Sequence, residues 1–142
     1  MALNFDKMWQ DPVTAMDHAS IGEYLGGDLI GQANYCAIRL SHGLMASGHK
    51  ITQPSDFRDR EGNKYIIRVA TMQSYLSKVL GTPKEVTSKQ AIAGRRGIVL
   101  FTIAYSDATG HVTLWNGSDL RHPAGTVDEQ FRKSTKTFFW QL

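Results

Sequence analysis

Asn34-Tyr-Cys-Ala-Ile-Arg-Leu-Ser-His-Gly-Leu-Met-Ala-Ser-Gly48 is the stretch on which the reading of the fold turns. Ala37, Leu40, Leu44 and Met45 recur at helical spacing, Asn34 is a good cap and Gly48 a good stop, so the segment predicts a helix of about three and a half turns. With Asn34 as cap, Cys36 occupies the second helical position. Main-chain N–H groups there lack carbonyl partners, and the positive end of the helix dipole lies beside them. A thiol in that field is expected to have a lowered pKa and to alkylate quickly with iodoacetamide.

Working outward, residues Gln53 to Gly62 are polar and read as a loop before a strand, Tyr65-Ile-Ile-Arg-Val-Ala70. Thr71 is then the expected cap of a second helix. Met72, Tyr75, Leu76, Val79 and Leu80 form one apolar face of it, and Gly81 with Pro83 marks its stop. After a mixed stretch from Glu85 to Gly94, Gly97-Ile-Val-Leu-Phe-Thr-Ile-Ala-Tyr105 predicts a buried strand and Ser106-Asp-Ala-Thr-Gly110 a turn. His111-Val-Thr-Leu-Trp-Asn116 is its expected hairpin partner. Alternation puts His111, Thr113 and Trp115 on one face of that strand, with Val112 and Leu114 on the other. Asn116-Gly117 signals a further turn, and the apolar ending Thr137-Phe-Phe-Trp-Gln-Leu142 predicts a final strand. Upstream, the first 33 residues are rich in glycine and other breakers and read as a short helical piece followed by turns. Early helix, later helix and antiparallel hairpins make an α+β pattern, read as a single domain over residues 1–142.

Composition narrows the function classes. A chain of 142 residues, 42% hydrophobic and 20% charged, builds one core without a disulfide or metal staple. The single cysteine excludes an internal disulfide and every multi-cysteine zinc pattern. Sixteen Lys and Arg against 13 Asp and Glu give a net charge of +3, and Arg95-Arg96 is the longest basic run. That mild, dispersed charge is a weak hint at an anionic partner, be it nucleic acid, membrane surface or acidic glycopolymer, and it is concentrated into no footprint; no nucleic-acid partner is expected. No stretch approaches the roughly 18 apolar residues of a span, so no membrane insertion is expected. Met1 to Trp9 lacks the basic and apolar regions of a signal peptide, which predicts a chain made in the cytoplasm.

Cys36 at a helix start and His111 at the start of a core strand are the smallest set from which a papain-like cysteine hydrolase is built: the imidazole takes the thiol proton and returns it to the leaving amine. The competing reading is equally physical, since a lone cysteine is often a small buried apolar residue. The other histidines carry less. His42 lies about 240° around the helix from Cys36, and His18 and His49 read as solvated loop residues. No histidine pair has zinc-ligand spacing with further ligands, so no metal is expected. Gly26-Gly27 and Gly94-Arg-Arg-Gly97 match no nucleotide fingerprint, and Trp115 and Trp140 read as core.

The stretches Asn34-Tyr-Cys-Ala-Ile-Arg-Leu-Ser-His-Gly-Leu44, Asp107-Ala-Thr-Gly-His-Val-Thr-Leu-Trp-Asn-Gly117 and Phe139-Trp-Gln-Leu142, in this order and spacing, closely resemble family 4 of the type VI secretion amidase effectors. The resemblance implies an NlpC/P60-like, papain-related fold, with the nucleophile at a helix N-terminus packed on an antiparallel sheet. It implies hydrolysis of the γ-D-glutamyl–meso-diaminopimelate bond in Gram-negative peptidoglycan, without a cofactor. It further implies delivery by the type VI secretion apparatus into the periplasm of a target cell, and a cognate periplasmic immunity protein in the producer. Position by position, Cys36 falls on the nucleophile and His111 on the general base, with helix-terminal N–H groups, that of Cys36 included, as oxyanion donors. The family's orienting aspartate is expected eleven positions beyond the histidine, where this chain has His122. Either His122 orients His111, or Asp119 does so through a shifted loop; the turn at Asn116-Gly117 favours His122, which can run back beside His111. The same cysteine and histidine would serve a deamidase or transglutaminase, and loss of the chemistry would leave a non-catalytic peptidoglycan-binding module.

Overall fold

A computed structural model of the chain describes residues 2–103, 110–122 and 125–142. Three short helical pieces open it. Helix α1 (Phe5–Gln10) is capped by Asn4, a 3₁₀ turn covers Pro12–Ala15, and α2 (His18–Leu25) is capped by Asp17. His18 is therefore the first residue of a helix, not a loop residue, and its ring meets Tyr35 edge-on at 4.9 Å. A 3₁₀ turn at Gly27–Leu29 leads to α3 (Cys36–Ala46).

Helix α3 begins one residue later than the cap assignment predicts. Tyr35 is the N-cap and Cys36 the first helical residue, yet the Asn34 side chain still serves the helix, because its Oδ1 accepts the Cys36 N–H at 2.9 Å. Ala37, Ile38, Leu40 and Leu44 are fully buried, each of the larger ones worth about 1.5–3 kcal/mol in apolar burial.

The strand expected over Tyr65–Ala70 does not form. Ser41 Oγ on α3 accepts the Ile66 N–H at 3.0 Å, so a helix side chain holds this segment and no sheet neighbour does. The nearest ladder is an isolated bridge between Arg58 and Lys64. Helix α4 (Val69–Leu80) starts three residues early, with Arg68 and not the expected Thr71 as N-cap, and stops at Gly81, whose φ of 94° ends the helix. Met72, Tyr75 and Leu76 form its buried face as the periodicity predicts.

Four strands follow: β1 (Lys84–Val86), β2 (Gly97–Thr102), β3 (Gly110–Trp115) and β4 (Lys136–Gln141). Between them lie a 3₁₀ turn at Lys89–Ile92 and helix α5 (Val127–Lys133), which the sequence reading missed. The sheet is antiparallel throughout, in the order β1-β4-β2-β3. Of the predicted turn at Ser106–Gly110, residues 106–109 lie outside the described residues and Gly110 is already the first residue of β3; Ala104 and Tyr105 of the predicted strand lie outside them too.

The two faces of the sheet sort as alternation requires. Ile98, Leu100, Val112, Leu114 and Trp140 pack against α1, α3 and α4. Val99, Phe101, Trp115 and Phe139 form a second cluster under α5, where Phe131 meets Phe101 edge-on. Strand β3 is an edge strand. Residues 120–122 run back beside it, through a bridge from Leu120 to Trp115 and the Arg121 N–H donated to the Leu114 carbonyl at 2.9 Å.

Candidate active site

Helix α3 packs its N-terminal half on β3, bringing Cys36 and His111 to the lining of one small cavity with Thr14, Arg39, Thr113 and His122. Of the sequence-predicted site residues, Cys36, His111 and His122 therefore lie together. Asp119 does not: it sits in the exposed turn after β3, where its carboxylate accepts from Ser118 Oγ and its main-chain N–H is donated to Asn116 Oδ1.

His111 is held by a main-chain acceptor. Its Nε2 lies 2.7 Å from the carbonyl oxygen of His122, and a carbonyl only accepts, so Nε2 carries the proton. Nδ1 is left as the basic nitrogen. The His122 imidazole is not the partner: its own Nδ1 is buried with no hydrogen bond among the described residues. Besides the Arg121 N–H bond to the Leu114 carbonyl, three ties fix the segment that supplies the carbonyl. The His122 N–H is donated to Thr113 Oγ1 at 3.2 Å, the Arg121 Nε–H to Thr14 Oγ1 at 3.0 Å, and an Arg121 Nη2 hydrogen to the Asp11 carbonyl at 3.3 Å. The Arg121 guanidinium also lies 5.3 Å from the centre of the Trp9 ring, at cation–π distance.

Electrostatics differ from the sequence expectation. Cys36 is only 3% exposed, and burial pushes its thiol up, against the opposing pull of the Val112 and Ala37 N–H groups and the Arg39 charge. The helix field acts in the predicted direction but desolvation outweighs it. Burial likewise pushes His111 down to about 4, with the Arg39 charge acting the same way and the bond to the His122 carbonyl opposing. The resting pair at neutral pH is thus thiol and neutral imidazole, competent for general-base chemistry. The Cys36 N–H, expected to face an oxyanion, is engaged by Asn34 Oδ1 in this resting arrangement.

Sequence reasoning missed Arg39, one turn beyond Cys36 on the same face of α3; the i to i+3 spacing was the available signal. It also missed Thr113 and Arg121. The other histidines do not line this cavity: His42 Nδ1 pairs with Asp11 Oδ2 at 2.5 Å, and His49 Nε2 meets the Tyr75 hydroxyl at 2.5 Å, so His49 is partly packed and not merely solvated. No described helix is long and apolar enough to cross a membrane.

Comparison with known proteins agrees with this architecture. No curated protein matches the sequence. A chain of the type VI effector–immunity complex Tae4–Tai4 from Enterobacter cloacae is 29% identical, with a TM-score of 0.86 over 100% of this chain and 99% of that one. The type VI effector Tae4 from Enterobacter cloacae gives 29% identity and a TM-score of 0.84, covering 100% of this chain and 98% of that one. The corresponding complex from Salmonella Typhimurium gives 27% and 0.84, covering 100% and 99%. Residues 32–140 match the family of the type VI secretion system amidase effector protein 4, and that span holds Cys36, Arg39, His111 and His122. The chain belongs to that family of type VI secretion amidase effectors.

Proposed function

We propose that this amidase, as one domain over residues 1–142, cuts the γ-D-glutamyl–meso-diaminopimelate bond of peptidoglycan stem peptides, with Cys36 as nucleophile and His111 as general base and acid. The observation that carries the reading is the shared cavity of a thiol and an imidazole whose Nε2–H is fixed on a carbonyl, leaving Nδ1 to accept a proton. His111 Nδ1 takes the Cys36 proton as Sγ attacks the γ-carbonyl carbon. The oxyanion is met by N–H groups at the start of α3. The Cys36 N–H exchanges Asn34 Oδ1 for it, and the Ala37 N–H, which has no carbonyl ahead of it in the helix, lies alongside. Collapse breaks the C–N bond as His111 protonates the diaminopimelate amine. Water then attacks the thioester with the same imidazole as base, releasing the glutamyl carboxylate and the thiol. His122 supplies the orienting group through its main chain.

The site of action is the periplasm of a target cell, reached through the type VI secretion apparatus. A periplasmic immunity protein that covers the cavity mouth protects the producer, in keeping with the immunity complexes of the similar structures. Incubation of the protein and its Cys36→Ala variant with purified muropeptides, followed by mass spectrometry, tests the reading. Stem peptides split between glutamate and diaminopimelate by the wild type alone are expected; intact stems would overturn it.

A further inference from the structure

Arg39 is 7% exposed and lines the same cavity as Cys36, His111 and His122. Its Nε–H is donated to the Met16 carbonyl at 2.7 Å, and no other hydrogen bond ties its guanidinium among the described residues. No carboxylate lies within ion-pair distance of it among those residues either; the described ion pairs involve His42, Lys89 and Arg96. Asp17, the acid whose field it feels, uses its carboxylate to cap α2 through the Ser20 N–H at 2.8 Å. A buried cation whose counter-charge lies beyond ion-pair distance is costly, and a bound anion would offset that cost.

The substrate proposed above brings such an anion. A γ-linked glutamate keeps its α-carboxylate free, about 5 Å from the γ-carbonyl carbon along the side-chain methylenes. Cys36 and Arg39, three residues apart on one helix, have side chains rooted about 5–6 Å apart. Both side chains line one cavity and their charges interact, so a γ-carbonyl at Sγ puts the α-carboxylate within reach of the long Arg39 side chain, whose two Nη groups form a fork suited to a carboxylate. We propose that Arg39 is the receptor for the α-carboxylate of the glutamate on the acyl side of the scissile bond, and that it makes the enzyme selective for glutamyl over isoglutaminyl stems. The assignment rests on the amidase reading.

The test compares two muropeptides that differ only in whether that carboxylate is free or amidated, cleaved by wild type, Arg39→Lys and Arg39→Met. The wild type is expected to cut the free-acid stem at least about tenfold faster in kcat/KM, since an uncharged amide loses the charge-assisted pair. Arg39→Met brings the ratio to about one by loss on the acid stem, and Arg39→Lys recovers part of it. Equal wild-type rates on the two stems overturn the assignment while leaving the amidase intact, and they do so even if both variants fail to fold. Cleavage of neither stem overturns the amidase reading and the assignment together.

Discussion

Replacing His122 with alanine separates two ways of orienting the imidazole proposed as general base. If the His122 side chain did this work, its removal would resemble loss of the third member of a catalytic triad, about 10⁴-fold in rate. The bond seen here runs from His111 Nε2 to the His122 carbonyl, which alanine retains. The ties that hold that carbonyl, to Thr113 Oγ1, Thr14 Oγ1 and the Asp11 and Leu114 carbonyls, come from main chain or from Arg121, Thr113 and Thr14. Truncation also strands nothing, because the buried His122 Nδ1 has no partner among the described residues to lose. The expected loss in kcat/KM is below about tenfold, or about 1.4 kcal/mol of transition-state stabilisation. Arg121→Ala, further from the thiol, is expected to do more: it removes two hydrogen bonds from a charged donor and frees the segment, and a displacement of 1 Å alone costs about 100-fold. The assay is stem cleavage followed by chromatography and mass spectrometry, with circular dichroism to certify folding. A folded His122→Ala enzyme slower by about 10³-fold or more would refute main-chain orientation.

Stability should depend on pH through His111. The unfolded imidazole takes its proton near 6.5 and the folded one near 4, so the unfolded state binds more protons between these values; stability is complete above 6.5 and falls by about 3 kcal/mol as pH drops to 4, a slope that urea titrations should find reduced in His111→Asn. The acid limb of kcat/KM should lie well below 6.5 for the same reason, and a limb at 6.5 or above would contradict a neutral buried base. Iodoacetamide should label Cys36 at pH 7.5 about tenfold more slowly than free cysteine, because the thiol is buried with a raised pKa; labelling as fast as free cysteine would show that the cavity stands open. Asn34→Asp should lower kcat by about 100-fold or more, as a carboxylate holds the Cys36 N–H more tightly than an amide and repels the developing anions; unchanged turnover would remove that N–H from the oxyanion site. Gly97→Ala should destabilise by about 2 kcal/mol or more in thermal melts, since a Cβ there meets the Trp140 carbonyl oxygen across the β2–β4 ladder.

The parts of this molecule legible in the sequence are those where one local rule governs. Alternation separated Val112 and Leu114 from His111, Thr113 and Trp115, and the structure puts Val112 and Leu114 in one apolar cluster and Trp115 in the other. Helical periodicity found the buried face of α4 and glycine its end. Tyr65–Ala70 failed because its β-branched run answers to Ser41, a tertiary contact invisible in the local pattern. Helix α5 left a signal that went unread: Thr126 caps it by accepting the Glu129 N–H at 3.1 Å, the Thr-x-x-Glu spacing of a capping box. At the site, residue type and order singled out Cys36 and His111, but any residue can supply a carbonyl, so the role of the His122 main chain leaves no trace in side-chain identity. The thiol pKa misled for a related reason. A helix start can be read along the chain, whereas the burial that outweighs it comes from tertiary packing around α3, with β3, far away in sequence, among the elements that pack on it.

Strand β4 lies between β1 and β2, so the last strand in chain order occupies an interior position of the sheet. In any chain that lacks residues 136–141, the β2–β3 hairpin therefore has one side of β2 unpaired. Phe139 and Trp140, which complete the two apolar layers, belong to that missing strand. Cys36 and His111 both precede this strand in the chain, and β3, which carries His111, reaches it only through β2. A chain clipped before residue 136 keeps the thiol and the imidazole but loses the strand that joins β1 to β2 and one aromatic side chain from each apolar layer.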